Sequence, residues 1–397
     1  MIQFRRYHPR LAWAFKALVL LFIPAILLIE VQLRVAGYKF HIYDLSIAVD
    51  QALIRDLKRG GSPPPTHVRT QIIAEPKFAY DSKPRQRLVV GSNVVGDNQS
   101  WVVDWDPKSA GNVGRPGEHK IIELAEDGKK LREVVYTIDN FGRRIVPGQS
   151  HAENKDAMLL FGDCNIFGYE HDDEETIAYA FTKLQSRYFI YNYGLPNRGL
   201  GEAMRLVSLA DFGSDIVPKR SGKVLIFFSA LSFADLIGDM RSYARVSKVS
   251  LEKGRILYGL TDDNQLIERS SRTESLLFSL LSKSLILDYF NINFPIRLTA
   301  NHFRLYAVMV ERIREVLAKK IPNLELYVVV LPHTSLEISE LLVDALDKMD
   351  IPSINYANIN VKDYIEGPVR GPIGNHWSWS TAEFIARQLL ADLGITR

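Results

Sequence analysis

From residue 156 onward, short apolar runs alternate with longer segments whose apolar positions recur every three or four residues. The runs 158–161, 188–192, 223–228, 325–331 and 351–356 predict strands. The periodic segments 174–185, 201–211, 303–319, 335–348 and 380–392 predict helices between them. This alternation argues for an α/β domain over 156–397, a three-layer α/β/α arrangement with a mostly parallel sheet. In such a sheet, ligands bind beyond the carboxyl ends of the strands. Cys164, Asn197, Ser229, His333 and His376 all fall at such ends.

Residues 233–300 break the alternation and read as an insertion, expected to be largely helical and close to the cleft or to a membrane. Its apolar stretch Ser275–Leu287 is only 13 residues long, too short to span a bilayer. It is read as a core helix of the insertion, with a cap over the cleft, a membrane contact and a partner contact as the other readings.

Upstream, the pattern changes twice. Between Gln71 and Ser150, β-type runs such as Leu88–Val90, Trp101–Val103 and Val134–Ile138 are broken by Gly, Pro and Asp, which predicts a small β-rich subdomain over 66–155. Before it, Leu45, Val49, Leu53 and Leu57 have helical spacing, so 38–65 reads as a juxtamembrane helix and a Pro-rich linker that begins at Gly60-Gly-Ser-Pro-Pro-Pro65. The stretch Leu11–Ile29 is apolar over 19 residues apart from Lys16, long enough for a transmembrane helix, and residues 1–37 read as a cytoplasmic tip and anchor. A signal peptide fits less well, because the apolar region is long and the exit Glu30–Gly37 offers a poor cleavage site, and a buried core helix is a further reading.

Charge sharpens the topology. Residues 1–40 carry six basic residues against Glu30 alone, a local +5 that leaves −2 for the rest of the +3 chain. Basic residues ahead of the span place residues 38–397 outside the cytoplasm, in the periplasm of a bacterial inner-membrane protein with a single pass. The near-neutral remainder carries no nucleic-acid footprint. With 397 residues, 47% of them hydrophobic, the chain can bury a large core. Its one cysteine, Cys164, excludes an internal disulfide framework.

That cysteine lies in the most informative segment. Met158–Phe161 is apolar and runs into Gly162-Asp163-Cys164 and then a helix start, a layout that presents one nucleophile at the carboxyl edge of a sheet. Cys164 is therefore either an active thiol or a small buried residue filling a turn.

The segment resembles the first block of the SGNH (GDSL-type) hydrolases, in which Gly-Asp-Ser ends the first strand and the serine attacks an ester. Gly162, Asp163, Phe167-Gly168 and Asp173-Glu174-Glu175-Thr176 match, with Cys164 where the serine would be. Tyr188–Gly194 and the turn to Gly201 are similar to the second block. Gly374-Asn-His-Trp-Ser378, followed by a helical run, resembles the last block and its histidine. Tyr136–Arg144 is similar to the lead-in of some membrane-anchored members. The departures are Asn197 at the second-block turn, Ser229 to Ser232 where an asparagine is usual, and Ile373-Gly374 where an aspartate precedes the histidine. Of the four family positions only His376 is kept.

The resemblance implies acyl-ester chemistry on carbohydrate, as in the alginate acetyltransferase-like branch, which pairs histidine with tryptophan. A Cys–His pair tolerates the loss of the aspartate because a thiol needs less activation than a hydroxyl. An active Cys164 is expected to ionise more readily than a free thiol, through His376 and the helix start. Loss of oxyanion donors matters more, about 2 to 4 kcal/mol each. Candidates for holding the oxyanion or substrate are Asp163, Asn165, Asn197, Ser229, Ser232, His333, Asn375 and Trp377, together with backbone N–H groups near Cys164. His333 can bind substrate or cap a helix. Trp377 and Trp379 can stack on sugar or pack in the core. Asp172 to Glu175 read as favourable charge at a helix N-terminus. His171 has no second ligand at metal spacing, so neither metal nor other cofactor is expected.

Two functions follow. The first is a membrane-anchored extracytoplasmic esterase or O-acyltransferase acting on acyl esters of envelope or exopolysaccharide through Cys164 and His376. The second is a catalytically inactive scaffold or glycan-binding component of a polysaccharide assembly or export complex. The expected partners are the inner membrane, a carbohydrate polymer or acylated glycan, and an envelope assembly complex.

Overall fold

The computed structural model describes residues 28–32, 35, 48–49, 86–90, 103–106, 111–124, 130–150, 152, 155–196, 199–216, 221–240, 243, 256–261, 263–270, 272–289, 292–294, 297–332, 334–366, 368–370 and 376–395. The strands in chain order are β1 Ala48–Val49, β2 Gln86–Val90, β3 Val103–Asp106, β4 Gly111–Gly114, β5 Gly117–Leu124, β6 Lys130–Ile138 and β7 Asp156–Phe161. They continue as β8 Tyr188–Asn192, β9 Gly222–Phe228, β10 Ile256–Leu260, β11 Leu266–Ser270, β12 Arg297–Leu298, β13 Leu324–Val330 and β14 Ser353–Asn355.

The apolar runs past residue 156 become one sheet of five parallel strands in the order β14-β13-β9-β7-β8. Successive side chains of a strand point to opposite faces. Leu159, Phe161, Ile226, Phe228, Val328 and Val330 therefore share one face, where they pack on the helices Leu200–Ser208, Ala230–Ile237, Ala300–Ala318 and Leu336–Asp347. Met158, Leu160, Leu225, Phe227 and Val329 share the other, under the helices Ile177–Leu184 and Trp379–Asp392. The three layers follow from this two-sided burial, and β9 is buried at all seven positions. The first strand, β7, is central. The chain leaves it for β8 on one side and β9 on the other, which opens the crevice at the carboxyl end of β7.

The β-rich region forms a three-stranded antiparallel sheet, β2-β5-β6, with a separate β3-β4 hairpin. It is joined to the parallel sheet, because Arg144 bridges Ile138 at the end of β6 and Asn192 at the end of β8. Ile121, Val134, Tyr136 and Ile138 pack on Phe167, Tyr169 and Leu195, with Cys164 at the margin. The subdomain thus lies directly against the Gly-Asp-Cys turn.

Two expectations change. Ala48 and Val49, inside the predicted stalk helix, are extended and pair in parallel with β12, so the ladder to residues 297–298 overrides helical spacing there. The remainder of that helix lies outside the described residues. The 233–300 segment is mixed rather than largely helical: β10 and β11 form an antiparallel hairpin whose Leu257 and Tyr258 are buried. Its apolar stretch is split into the helices Arg272–Leu281 and Leu285–Tyr289. The predicted transmembrane segment lies outside the described residues up to residue 27, and residues 28–32 are helical. No helix among the described residues is long and apolar enough to cross a membrane.

Candidate active site

The turn after β7 is built by short-range hydrogen bonds. Asp163 caps the helix Cys164–Phe167, its Oδ1 accepting from Asn165 N at 3.0 Å. Gly168 ends that helix at φ +79°, its N–H donating to Cys164 O and Asn165 O. The exit of β8 presses on the same helix at Gly194, where a Cβ would come within 2.5 Å of Phe167 N. Only glycine fits there.

Beyond Gly168 the chain runs through Tyr169, Glu170 and His171, and this stretch is tied down by the antiparallel sheet. Arg144 is 1% exposed. Its guanidinium donates to Asp173 Oδ1 at 2.8 Å, Phe167 O at 2.9 Å, Gly168 O at 2.6 Å and the His171 carbonyl, and it lies over the Tyr136 ring. Asp172 Oδ1 accepts from Val135 N at 2.8 Å, and the Asp173 carboxylate accepts from Thr137 N. Asp172 and Asp173 therefore secure β6 and Arg144 and also stand, with Glu174 and Glu175, at the start of the short 3-10 helix Asp173–Glu175. The cap of the helix Ile177–Leu184 is Thr176, whose hydroxyl accepts from Tyr179 N.

This frame delivers Glu170 to His376. Glu170 adopts φ +73°, uncommon for a residue other than glycine, and its N–H donates to Tyr136 Oη at 2.8 Å. Its side chain is fully buried, and Oε1 accepts from His376 Nδ1 at 2.8 Å. Oε2 is buried and has no hydrogen-bond partner among the described residues. The His376 ring packs on Tyr169, with centroids 4.7 Å apart. Next to it, Trp377 N donates to Asn165 Oδ1 at 3.3 Å, and Trp377 O accepts from His171 Nε2. Asn165 and His171 thus clamp the histidine strand onto the Cys164 turn. His171 Nδ1 faces Glu175 at 3.3 Å, so both of its nitrogens are engaged within the protein. Among the described residues, no group of three His, Cys, Asp or Glu is placed to hold a metal ion.

Holding Nδ1–H on a carboxylate fixes the His376 tautomer and leaves Nε2 to accept a proton. Burying a carboxylate with one hydrogen bond costs stability. The sequence carried no signal for Glu170, because it has no fixed spacing from His376 in the chain. The carboxylate that meets His376 comes from 206 residues upstream.

The thiol is held differently. Cys164 is half-buried, and burial pushes its thiol well above the ordinary range, with Asp163 and Glu170 adding to the push and backbone N–H groups of Cys164 and Asn165 opposing it. The expected readier ionisation is therefore reversed. The helix behind Cys164 has only four residues and its cap is an aspartate, so its dipole is outweighed by desolvation and by negative charge. Arg370 lies within electrostatic reach of both Cys164 and Glu170, and its backbone bridges Trp377. No hydrogen bond joins Cys164 to His376 among the described residues.

The other candidates divide by place. Ser229 caps the helix Ala230–Ile237: its Oγ accepts from Ser232 N, Ser232 Oγ lies 2.9 Å from Ser229 Oγ, and the pair forms a reciprocal capping box. Their hydroxyls are engaged in starting that helix. A cavity of about 20 Å³, room for one water, lies between Gly162, Gly199, Ser232 and the apolar side chains of Phe161, Leu200 and Ile226. Trp377 is 4% exposed and packs in the core, so its ring forms no open sugar platform, while the half-buried Trp379 packs against Tyr179. Asn197, His333 and Asn375 lie outside the described residues.

No family model matches the sequence, and no curated protein matches it. Among solved structures the chain is similar to a member of the lipolytic G-D-S-L family from Veillonella parvula, at 10% identity and TM-score 0.32 over 59% of this chain and 96% of that one. It is likewise similar to an acetyl xylan esterase from Butyrivibrio proteoclasticus, at 10% identity and TM-score 0.32 over 62% and 67%. A third is a carbohydrate esterase with a carbohydrate-binding domain from Corynascus thermopiles, at 11% identity and TM-score 0.29 over 78% and 87%. At such overlap the chemistry must be read from this chain's own residues.

Proposed function

We propose that this protein is a membrane-anchored, extracytoplasmic acyl-ester hydrolase or acyltransferase with Cys164 as nucleophile, His376 as general base and Glu170 as the carboxylate that orients it. The observation that carries this reading is the 2.8 Å contact from His376 Nδ1 to the buried Glu170 carboxylate. His376 Nε2 takes the thiol proton as Sγ attacks the ester carbonyl, because the raised thiol does not supply a standing thiolate. The tetrahedral oxyanion collapses to a thioester as the alcohol leaves with the proton from Nε2. Water then completes hydrolysis, or a sugar hydroxyl completes transfer, again deprotonated by His376. Arg370 and the backbone N–H of Cys164 are the groups offered to the oxyanion.

The anchor is Leu11–Ile29 and the setting the periplasm, both read from the apolar length and the basic flank. The substrate is acylated envelope carbohydrate, in keeping with the carbohydrate esterases similar to this chain and with the alginate acetyltransferase-like branch that its last block resembles. Release of acetate from acetylated polysaccharide by the full chain, abolished in Cys164→Ala, is the deciding assay. An intact rate in that variant would remove the nucleophile.

A second reading is favoured by a specific observation: the thiol is raised by burial and the Ser229–Ser232 hydroxyls are taken up in capping. On this reading the protein is an inactive scaffold or glycan-binding part of a polysaccharide assembly complex. Normal polymer acylation and export in cells carrying His376→Ala would favour it.

A further inference from the structure

The segment at 28–32 is fastened to the insertion. Glu30 accepts three hydrogen bonds at the start of the helix Leu285–Tyr289, from Ser284 Oγ at 3.0 Å, Leu285 N at 2.9 Å and Ile286 N at 3.1 Å. The helix that precedes it, Arg272–Leu281, is turned against the usual rule for a surface helix. Its leucines Leu276, Leu277 and Leu280 are 55%, 50% and 71% exposed, while its serines Ser275 and Ser279 are buried. Leu28, Ile29, Val31 and Val35 are exposed as well. Apolar side chains gathered on one surface mark a contact, whereas single ones do not.

The chain itself identifies the occupant. The apolar run Leu11–Ile29 passes without interruption into the residues that Glu30 pins to the insertion. Glu30 meets the chain three residues after the helix Arg272–Leu281 ends, which brings the end of that run to the segment that carries the exposed leucines.

We propose that Leu276, Leu277 and Leu280, together with Leu28, Ile29 and Val31, form a face that rests in the surface of the lipid bilayer holding residues 11–27. This rests on the anchor reading given above. Leucines partly sunk at the boundary between headgroups and acyl chains gain apolar burial while the backbone hydrogen bonds stay within the helix. With Glu30 as the fixed point, the α/β domain is held in one orientation above the membrane rather than swinging on a tether.

The test uses the full chain with Cys164→Ala, carrying a nitroxide on Leu276→Cys, Leu277→Cys or Leu280→Cys, in vesicles of phosphatidylethanolamine and phosphatidylglycerol. Tyr364→Cys is the control: Tyr364 is exposed and stacks on Phe384, which packs on the sheet face opposite to that of the insertion's Tyr258. The expected result is that labels at 276, 277 and 280 collide with oxygen more than with a water-soluble nickel chelate, and that the label at 364 does the reverse. Labels at the three leucines that behave like the control, in a chain that resists carbonate extraction, would overturn the membrane face and leave the anchor standing. A chain released by carbonate overturns both. Shielding from both reagents, with dipolar broadening between labels, would show a second copy on this face and overturn the proposal.

Discussion

The histidine side and the thiol side of the site hold their charges in opposite ways. His376 has a fully buried carboxylate on Nδ1, an aromatic ring against one face and a backbone clamped by Asn165 and His171. Cys164, in the turn that Asn165 ties to Trp377, has burial, Asp163 and Glu170 all working to keep it protonated. The same Glu170 that meets His376 Nδ1 also disfavours the thiolate of Cys164. In the proposed mechanism this asymmetry means that the proton moves during attack rather than before it. It resembles a serine-type mechanism with sulfur in place of oxygen.

The sharpest test of this asymmetry is His376→Ala. Loss of the base is expected to slow acyl transfer about 10²- to 10⁴-fold, measured as single-turnover thioester formation; an unchanged rate would mean that the thiol acts alone. Next in size is Arg144→Leu, which leaves Asp173 buried without its cation and releases the stretch that carries Glu170. Breaking such a pair costs about 3 to 5 kcal/mol, to be read from urea unfolding. A loss below about 1 kcal/mol would show that the antiparallel sheet does not hold the site.

Glu170→Gln removes one charge-assisted hydrogen bond, worth about 1.5 to 3 kcal/mol, and so a roughly 10- to 150-fold fall in rate. The thiol of this variant should also ionise more easily, since Glu170 is among the charges that raise Cys164. Alkylation by iodoacetamide followed against pH reads this directly. In the intact chain the reaction is slow at neutral pH and speeds up only above the ordinary thiol range, and a fast reaction at pH 7 would refute the reading of a protonated thiol.

The same shift has a sign in stability. The folded state holds the Cys164 proton above the pH at which the unfolded chain has lost it. That contribution is fully present below the unfolded thiol pKa and is lost as pH rises toward the folded value. Tyr327, pushed up to about 12 by burial and Glu325, acts in the same direction. Denaturation midpoints should therefore fall in alkaline solution, and less steeply in Cys164→Ala. The smallest effect is expected from Ser232→Ala, which loses part of a capping box, about 1 kcal/mol of stability. A large fall in rate with little loss of stability would instead make Ser232 an oxyanion donor.

Much of the architecture was legible because it is periodic. The runs 188–192 and 223–228 are β8 and, within one residue, β9, since apolar residues at consecutive positions can be satisfied only by burial on both faces. The helices at 303–319 and 380–392 likewise lie within a few residues of Ala300–Ala318 and Trp379–Asp392. Where pairing partners came from far along the chain, periodicity misled. Ala48 and Val49 joined β12, and the insertion contained a hairpin.

The site shows the same division. Local pattern alone determined the strand, the Gly162-Asp163-Cys164 turn, the helix behind it and the place of His376 ahead of the last helix, because each depends on neighbours within a few residues. Only the tertiary structure decided which carboxylate meets His376, that Arg144 and the strand Lys130–Ile138 hold it, and that the thiol is raised rather than lowered. Those outcomes depend on burial and on charges brought together from positions 144, 170, 370 and 376, and no spacing along the chain encodes the dielectric in which they meet.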